Sequence, residues 1–151
     1  MELIEKIVML EGKNTTEGYE CLKGLEGVSE DSDVLYQYID RFVAMVSSDK
    51  YVVRVRGFRL FCKQARWDCE NKIDENIDFS LKILRDDKPT AVRQALAALQ
   101  EVVKYKPELQ GIIRDAVNSI NYGLYKESMH SLIAKDVQVI LDMTGGQKDG
   151  K

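Results

Sequence analysis

Six basic residues and no acid stand in the stretch KYVVRVRGFRLFCKQAR, residues 50 to 66. Within it Arg56, Arg59, Lys63 and Arg66 recur at i, i+3, i+7 and i+10, the spacing that places them on one face of a helix. Like charges stacked this way repel by roughly a few tenths of a kcal/mol per pair, so a counter-charge is expected nearby. Two sources fit. Residues 67 to 87 hold seven acids against three bases, and a helix formed there would pack beside the basic one. Alternatively the face docks an acidic partner or a nucleic-acid backbone. On that second ground Arg54, Arg56, Arg59, Lys63, Arg66 and Trp67 are the candidate partner-binding residues, extended by Arg93.

Other chemistry is sparse in the sequence. His130 is the single histidine, and one imidazole supplies too few ligands for a metal site. Cys21, Cys62 and Cys69 are an odd set with no Cys-x-x-Cys among them, which reads as reduced thiols in a cytoplasmic protein. Neither a Gly-x-Ser-x-Gly elbow nor a phosphate-cradling glycine loop occurs. The acids Asp68, Glu70, Asp74, Glu75 and Asp78 sit where they would offset a helix dipole. No catalytic residue, cofactor or metal is therefore expected, and the chain reads as a non-enzyme.

The 151 residues suit one domain, with 44% apolar and 31% charged residues and a net charge of −3. That acidity disfavours a dedicated nucleic-acid binder. The opening MELIEKIVML is too polar for a signal segment, and no later stretch resembles a membrane span. Asn14-Thr15-Thr16 matches a glycosylation acceptor, which carries no weight in a cytoplasmic chain.

Helical periodicity runs almost throughout, and predicts eight helices. The first carries Leu3, Ile4, Ile7, Val8 and Leu10, and the second Tyr19, Leu22 and Leu25 between an Asn14 or Thr15 cap and a stop at Gly27. Leu35, Ile39, Phe42, Val43 and Val46 mark the third; Val55, Phe58, Phe61, Cys62 and Ala65 mark the fourth. The β-branched run at Val52, Val53 and Val55 could pass for a strand, but the helical stripe through Ala65 overrides it. Ile73, Ile77, Leu81 and Leu84 define the fifth, and Val92, Ala95, Leu96, Leu99 and Val103 the sixth, opened by Asp86, Asp87 and Pro89. The seventh follows Pro107 with Ile112, Ile113, Ala116, Val117 and Ile120. The last holds Met129, Leu132, Ile133, Val137, Ile140 and Leu141. Residues 144–151 read as a disordered tail to a single domain at 1–143.

A shift of 38 positions superposes residues 49 to 67 on 87 to 105 without a gap. Gly57 falls on Ala95, Phe58 on Leu96, Phe61 on Leu99 and Trp67 on Tyr105, and Leu35, Ile39, Val43 and Val46 fall on Ile73, Ile77, Leu81 and Leu84. Two helices per period of that length is the signature of stacked helical repeats. Trp67 and Tyr105 are expected to pack under equivalent turns, with stacking beside Arg66 as the alternative.

The segment DDKPTAVRQALAAL, with Asp87, Pro89, Val92, Arg93, Ala95, Ala98 and Leu99, resembles the first helix of a HEAT repeat. Together with RGFRLFCKQARWD, NKIDE and KYKPEL it makes the chain similar to a group of small bacterial HEAT-repeat proteins, some of which are labelled as related to iron–sulfur assembly proteins. The 38-residue period predicts about four helix pairs, at 2–27, 32–66, 71–104 and 107–143 or offset from these by one helix, stacked as an all-α, right-handed α-solenoid whose extended concave surface serves as a protein-interaction scaffold. The resemblance implies the same fold. The iron–sulfur label would require Cys21, Cys62 or Cys69 to converge. A second implication is nucleic-acid binding in the manner of HEAT-like alkylpurine DNA glycosylases, with Trp67 and Asp68 cast in their aromatic and acidic roles.

Overall fold

A computed structural model describes residues 2–145 of the chain. It is all-α: eight helices, with no strand among the described residues. These are α1 (Leu3–Met9), α2 (Thr15–Asp31), α3 (Ile39–Met45), α4 (Tyr51–Lys63), α5 (Lys72–Ser80), α6 (Pro89–Tyr105), α7 (Gln110–Asn118) and α8 (Glu127–Gly145), several extended by short 3-10 turns. No helix among the described residues is long and apolar enough to cross a membrane.

Local chemistry explains four of the eight helix starts. Glu2 and Glu5 form a reciprocal capping box at α1, and the Asn14 side chain accepts the Glu17 amide at 2.9 Å to open α2. At α5 the Asp68 carboxylate reaches forward to accept the Lys72 and Ile73 amides at 2.9 and 3.0 Å. Asn71, the single left-handed non-glycine residue described (φ 58), turns the chain into that helix. Pro89 occupies the first turn of α6, where no amide hydrogen is needed.

The valine-rich stretch before Gly57 is helical, in α4. The stop expected at Gly27 does not occur. Gly27 stays in the right-handed helical region, and α2 continues to Asp31, because Ser29 extends the buried side begun by Leu22 and Leu25. Tyr19, assigned to that apolar stripe, is 46% exposed. At the other end α8 runs to Gly145. Thr144, expected in the tail, is helical and buried, held by Arg114 through its hydroxyl and carbonyl oxygens. The rest of the expected tail, 146–151, lies outside the described residues.

Helices α2, α4, α6 and α8 form one row, each packed on the next. Partners separated by a constant 33 residues across α2 and α4, and by 35 across α4 and α6, show that these helices run parallel. Helices α1, α3 and α7 pack on α2, α4 and α8 respectively, and the 3-10 turn Leu81–Arg85 that continues α5 packs on α6. One hydrophobic core lies between the two sets, including Leu22, Phe42, Phe58, Phe61, Ile77, Leu99, Ile113 and Ile133. At Gly57 α3 lies tight against α4: an added Cβ would stand 2.5 Å from the Met45 Cβ and 2.6 Å from the Phe42 carbonyl oxygen. Its counterpart under the 38-residue shift, Ala95, is buried with its methyl in place.

Candidate functional site

Arg59 and Lys63 of α4, and Arg66 in the 3-10 turn Gln64–Trp67 that follows it, lie on the row of parallel helices and face α2 and α6. Arg59 grips Glu26 of α2 with two bonds, Nε to Oε2 at 2.9 Å and Nη2 to Oε1 at 2.8 Å, and donates through Nη1 to Gln94 of α6 at 2.9 Å. Lys63 sits between the same helices, 3.2 Å from Glu30 and 4.0 Å from Glu101. Arg66 donates to the Glu30 carbonyl and to the Glu101 carboxylate, both at 2.9 Å, and stacks over the Tyr105 ring. Its bond to Glu101 raises its already high pKa further.

The counter-charges expected in residues 67 to 87 therefore come mostly from elsewhere. Of the α4 cations only Arg54 draws on that segment. Its guanidinium is paired with Asp86 at 2.7 and 3.1 Å and anchored to the Ser48 carbonyl at 2.9 Å. Arg93, one helix further along, pairs in the same manner with Asp136 of α8 at 2.6 Å.

Arg56 departs from the expected exposed face. It is 3% exposed, and its guanidinium covers Gly18 of α2 so closely that a Cβ there would overlap it. Its bonds go to backbone carbonyls, Leu10 at 2.8 Å and Thr15 at 3.1 Å. Burial pushes its pKa down.

Trp67 is half-buried, and its indole donates to the Ser29 carbonyl at 2.7 Å. Arg66 and Trp67 thus satisfy two carbonyls in the last turn of α2, groups with no partner inside their own helix. Arg66, beside Trp67 in the sequence, bonds to α2 and lies over the Tyr105 ring.

Asp68, cast as an acidic partner for Trp67, has a side chain with 0% exposure. Beyond opening α5, it accepts Tyr36 Oη at 2.6 Å and lies 3.1 Å from Lys106 Nζ. Burial raises the Asp68 pKa, but bonds from Tyr36, the Ile73 and Lys72 amides and Lys106 outweigh it and hold the carboxyl below its usual range. Lys106 is nearly buried and also meets Asp74 at 2.7 Å and Glu108 at 3.3 Å. Burial lowers its pKa while these three carboxylates raise it by more. This knot joins the turns before α5 and after α6. A lysine directly before Pro107 offered no periodic signal, which is why sequence reasoning passed over it.

Between α2, α4 and α6 opens a groove of about 400 Å³, lined by Glu26, Arg59, Lys63, Gln94, Ala97, Ala98, Gln100 and Glu101. Its charged walls are already neutralised by the pairs above, and Ala97 and Ala98 keep its α6 side shallow. Glu26, Gln94, Ala97 and Glu101 were not nominated from sequence. The signal available was the i, i+4 spacing of Glu26 and Glu30, which complements Arg59 and Lys63 on a parallel neighbour.

The three thiols occupy different environments: Cys62 is buried, Cys21 half-buried near the Met9 sulfur, and Cys69 exposed. Among the described residues no group of three or more His, Cys, Asp or Glu is placed to hold a metal ion. His130 lies half-buried on α8, its Nε2 3.0 Å from the Tyr125 carbonyl. Comparison with protein-family models, curated proteins and solved structures found no match to the chain.

Proposed function

We propose that the chain is a cytoplasmic, non-enzymatic interaction scaffold, a HEAT-like right-handed α-solenoid of four helix pairs that receives a protein partner on the α2–α4–α6 row. The groove beside Arg59 carries this reading. Its walls are cross-tied by Arg59 to Glu26 and Gln94 and by Arg66 to Glu101, so little side-chain freedom remains to be lost when a partner seats against it. Preformed concave surfaces of stacked helical repeats commonly serve this purpose. The helix pairing, the parallel α2–α4–α6–α8 row and the 38-residue correspondence support the repeat assignment.

Nucleic-acid binding has no observation in its favour beyond the basic run. Of those cations Arg54, Arg59, Lys63 and Arg66 are occupied by Asp86, Glu26, Glu30 and Glu101, Arg56 is buried against two carbonyls, and Asp68 is enclosed.

Filling the groove tests the reading. Ala97 is exposed on α6, so Ala97→Trp obstructs the groove without disturbing the core. In affinity purification from native lysate, Ala97→Trp should lose a partner that wild type and Asn118→Trp, an exposed change on α7, both retain. Capture unaffected by Ala97→Trp would sink the proposal.

A further inference from the structure

A second, narrower cavity of about 170 Å³ adjoins the groove and shares Arg59 and Gln94 with it. Tyr19, Leu22, Tyr51, Val52 and Val55 give it apolar walls, Thr90 stands at its α6 side, and Arg56 also lines it. The same arginine lines a third cavity, of about 420 Å³, together with Lys13, Lys50 and Asp49.

Arg56 differs from every other nominated cation. Arg54, Arg59, Lys63, Arg66 and Arg93 each have a carboxylate within salt-bridge distance, whereas Arg56 has two carbonyl oxygens and no anion. Carbonyls satisfy two of its five N–H groups but leave its formal charge uncompensated. An unpaired buried charge is among the most costly groups a fold can hold. The fold nevertheless makes room for it, since only a glycine at position 18 leaves space for the guanidinium.

We propose that Arg56 is the receptor for a carboxylate side chain of an incoming acidic peptide segment, whose neighbouring apolar residue seats between Tyr19 and Tyr51. The charge favours a carboxylate over phosphate. In the 170 Å³ cavity Arg59 is already paired with Glu26, so Arg56 brings one uncompensated charge, which one carboxylate neutralises, while a phosphate dianion would leave excess negative charge between apolar walls. The Tyr19 and Tyr51 rings, with Leu22, Val52 and Val55, supply the apolar half of the same recognition. Resting on the groove as a protein-binding surface, this assigns the partner's chemistry: an acidic residue beside a leucine-sized one.

The test needs no identified partner. The full chain, isotopically labelled, is titrated with N-acetyl-Leu-Glu-amide, with its Leu-Gln counterpart and with inorganic phosphate while nuclear resonances are followed. The Glu peptide should shift the Arg56 Nε–H signal and the Thr15 and Tyr51 amides, and the Gln peptide should bind at least about tenfold more weakly. Thr90→Glu places a competing carboxylate at an exposed position beside the cavity. It should weaken the Glu peptide by about tenfold or more, with the remaining spectrum preserved. A silent Arg56 signal, equal response to both peptides, or tighter binding of phosphate overturns the assignment. If these probes fail while Ala97→Trp still abolishes partner capture, Arg56 is a structural clamp and the groove reading stands. If capture survives Ala97→Trp, both fall.

Discussion

Single atoms decide much of this molecule's behaviour, and two glycines show it in opposite directions. Gly57 lies where a methyl would press on Met45 and the Phe42 carbonyl, so Gly57→Ala should destabilise by about 1–3 kcal/mol. Gly27 is in a helix with nothing within 4 Å of its would-be Cβ, so Gly27→Ala should stabilise by about 0.5–1 kcal/mol. Urea midpoints of the two variants should move apart on either side of wild type, and movement in one direction would contradict the packing described. Gly57 was readable as a small residue meeting Ala95 under the 38-residue shift and Gly27 as a helix stop, but neither reading showed which of the two has another helix pressed against it. Spacing along a chain does not record how near another helix backbone comes.

At the scale of elements, helices are tied by ion pairs whose worth depends on burial. Arg59, bound on two sides between α2 and α6, should cost about 1–3 kcal/mol on truncation to alanine. Arg93, at 39% side-chain exposure, should cost less than about 1 kcal/mol. Similar losses in denaturant melts of the two would show that burial does not set the value of these pairs. The Asp68–Lys106 knot adds a dependence on pH. The Asp68 carboxyl is depressed in the folded chain, so its contribution is present above the unfolded value of about 3.9 and fades as pH falls through the lower folded value. Lys106 is raised, so its contribution is complete below about 10.4 and is lost as pH rises through the folded value. Asp68→Asn should therefore lose roughly 2–3 kcal/mol at pH 7, a deficit that shrinks below about pH 4 as the wild-type carboxyl protonates. Urea unfolding at both pH values measures this, and a constant deficit would exclude the ionised carboxylate as its source. The helices joined by the knot were legible from their apolar spacing; the knot was not, because Tyr36, Asp68, Asp74 and Lys106 belong to different turns.

For the molecule as a whole, charge is distributed so that the basic run has little left to offer a polyanion. Net charge is −3, and five of the seven nominated residues are cations engaged with carboxylates. Duplex DNA should bind no more tightly than about 10⁻⁴ M at about 0.15 M salt, as measured by fluorescence anisotropy, and a steeply salt-dependent micromolar complex would overturn this. The sequence by itself determined the helical class, the eight helices and most of the buried stripes, although Ile4, Val8, Tyr19, Ile112 and Leu132 of those stripes are exposed. Such features follow from a 3.6-residue period that each segment carries alone. It also placed Arg56, Arg59, Lys63 and Arg66 on one side of α4. Only the tertiary structure decided what covers that side: Glu26 and Glu30 from α2, Gln94 and Glu101 from α6, and for Arg56 two carbonyls and a glycine. Periodicity states which residues share a face, while the identity of the neighbour is a long-range fact, settled when the shared core brings α2, α4 and α6 side by side.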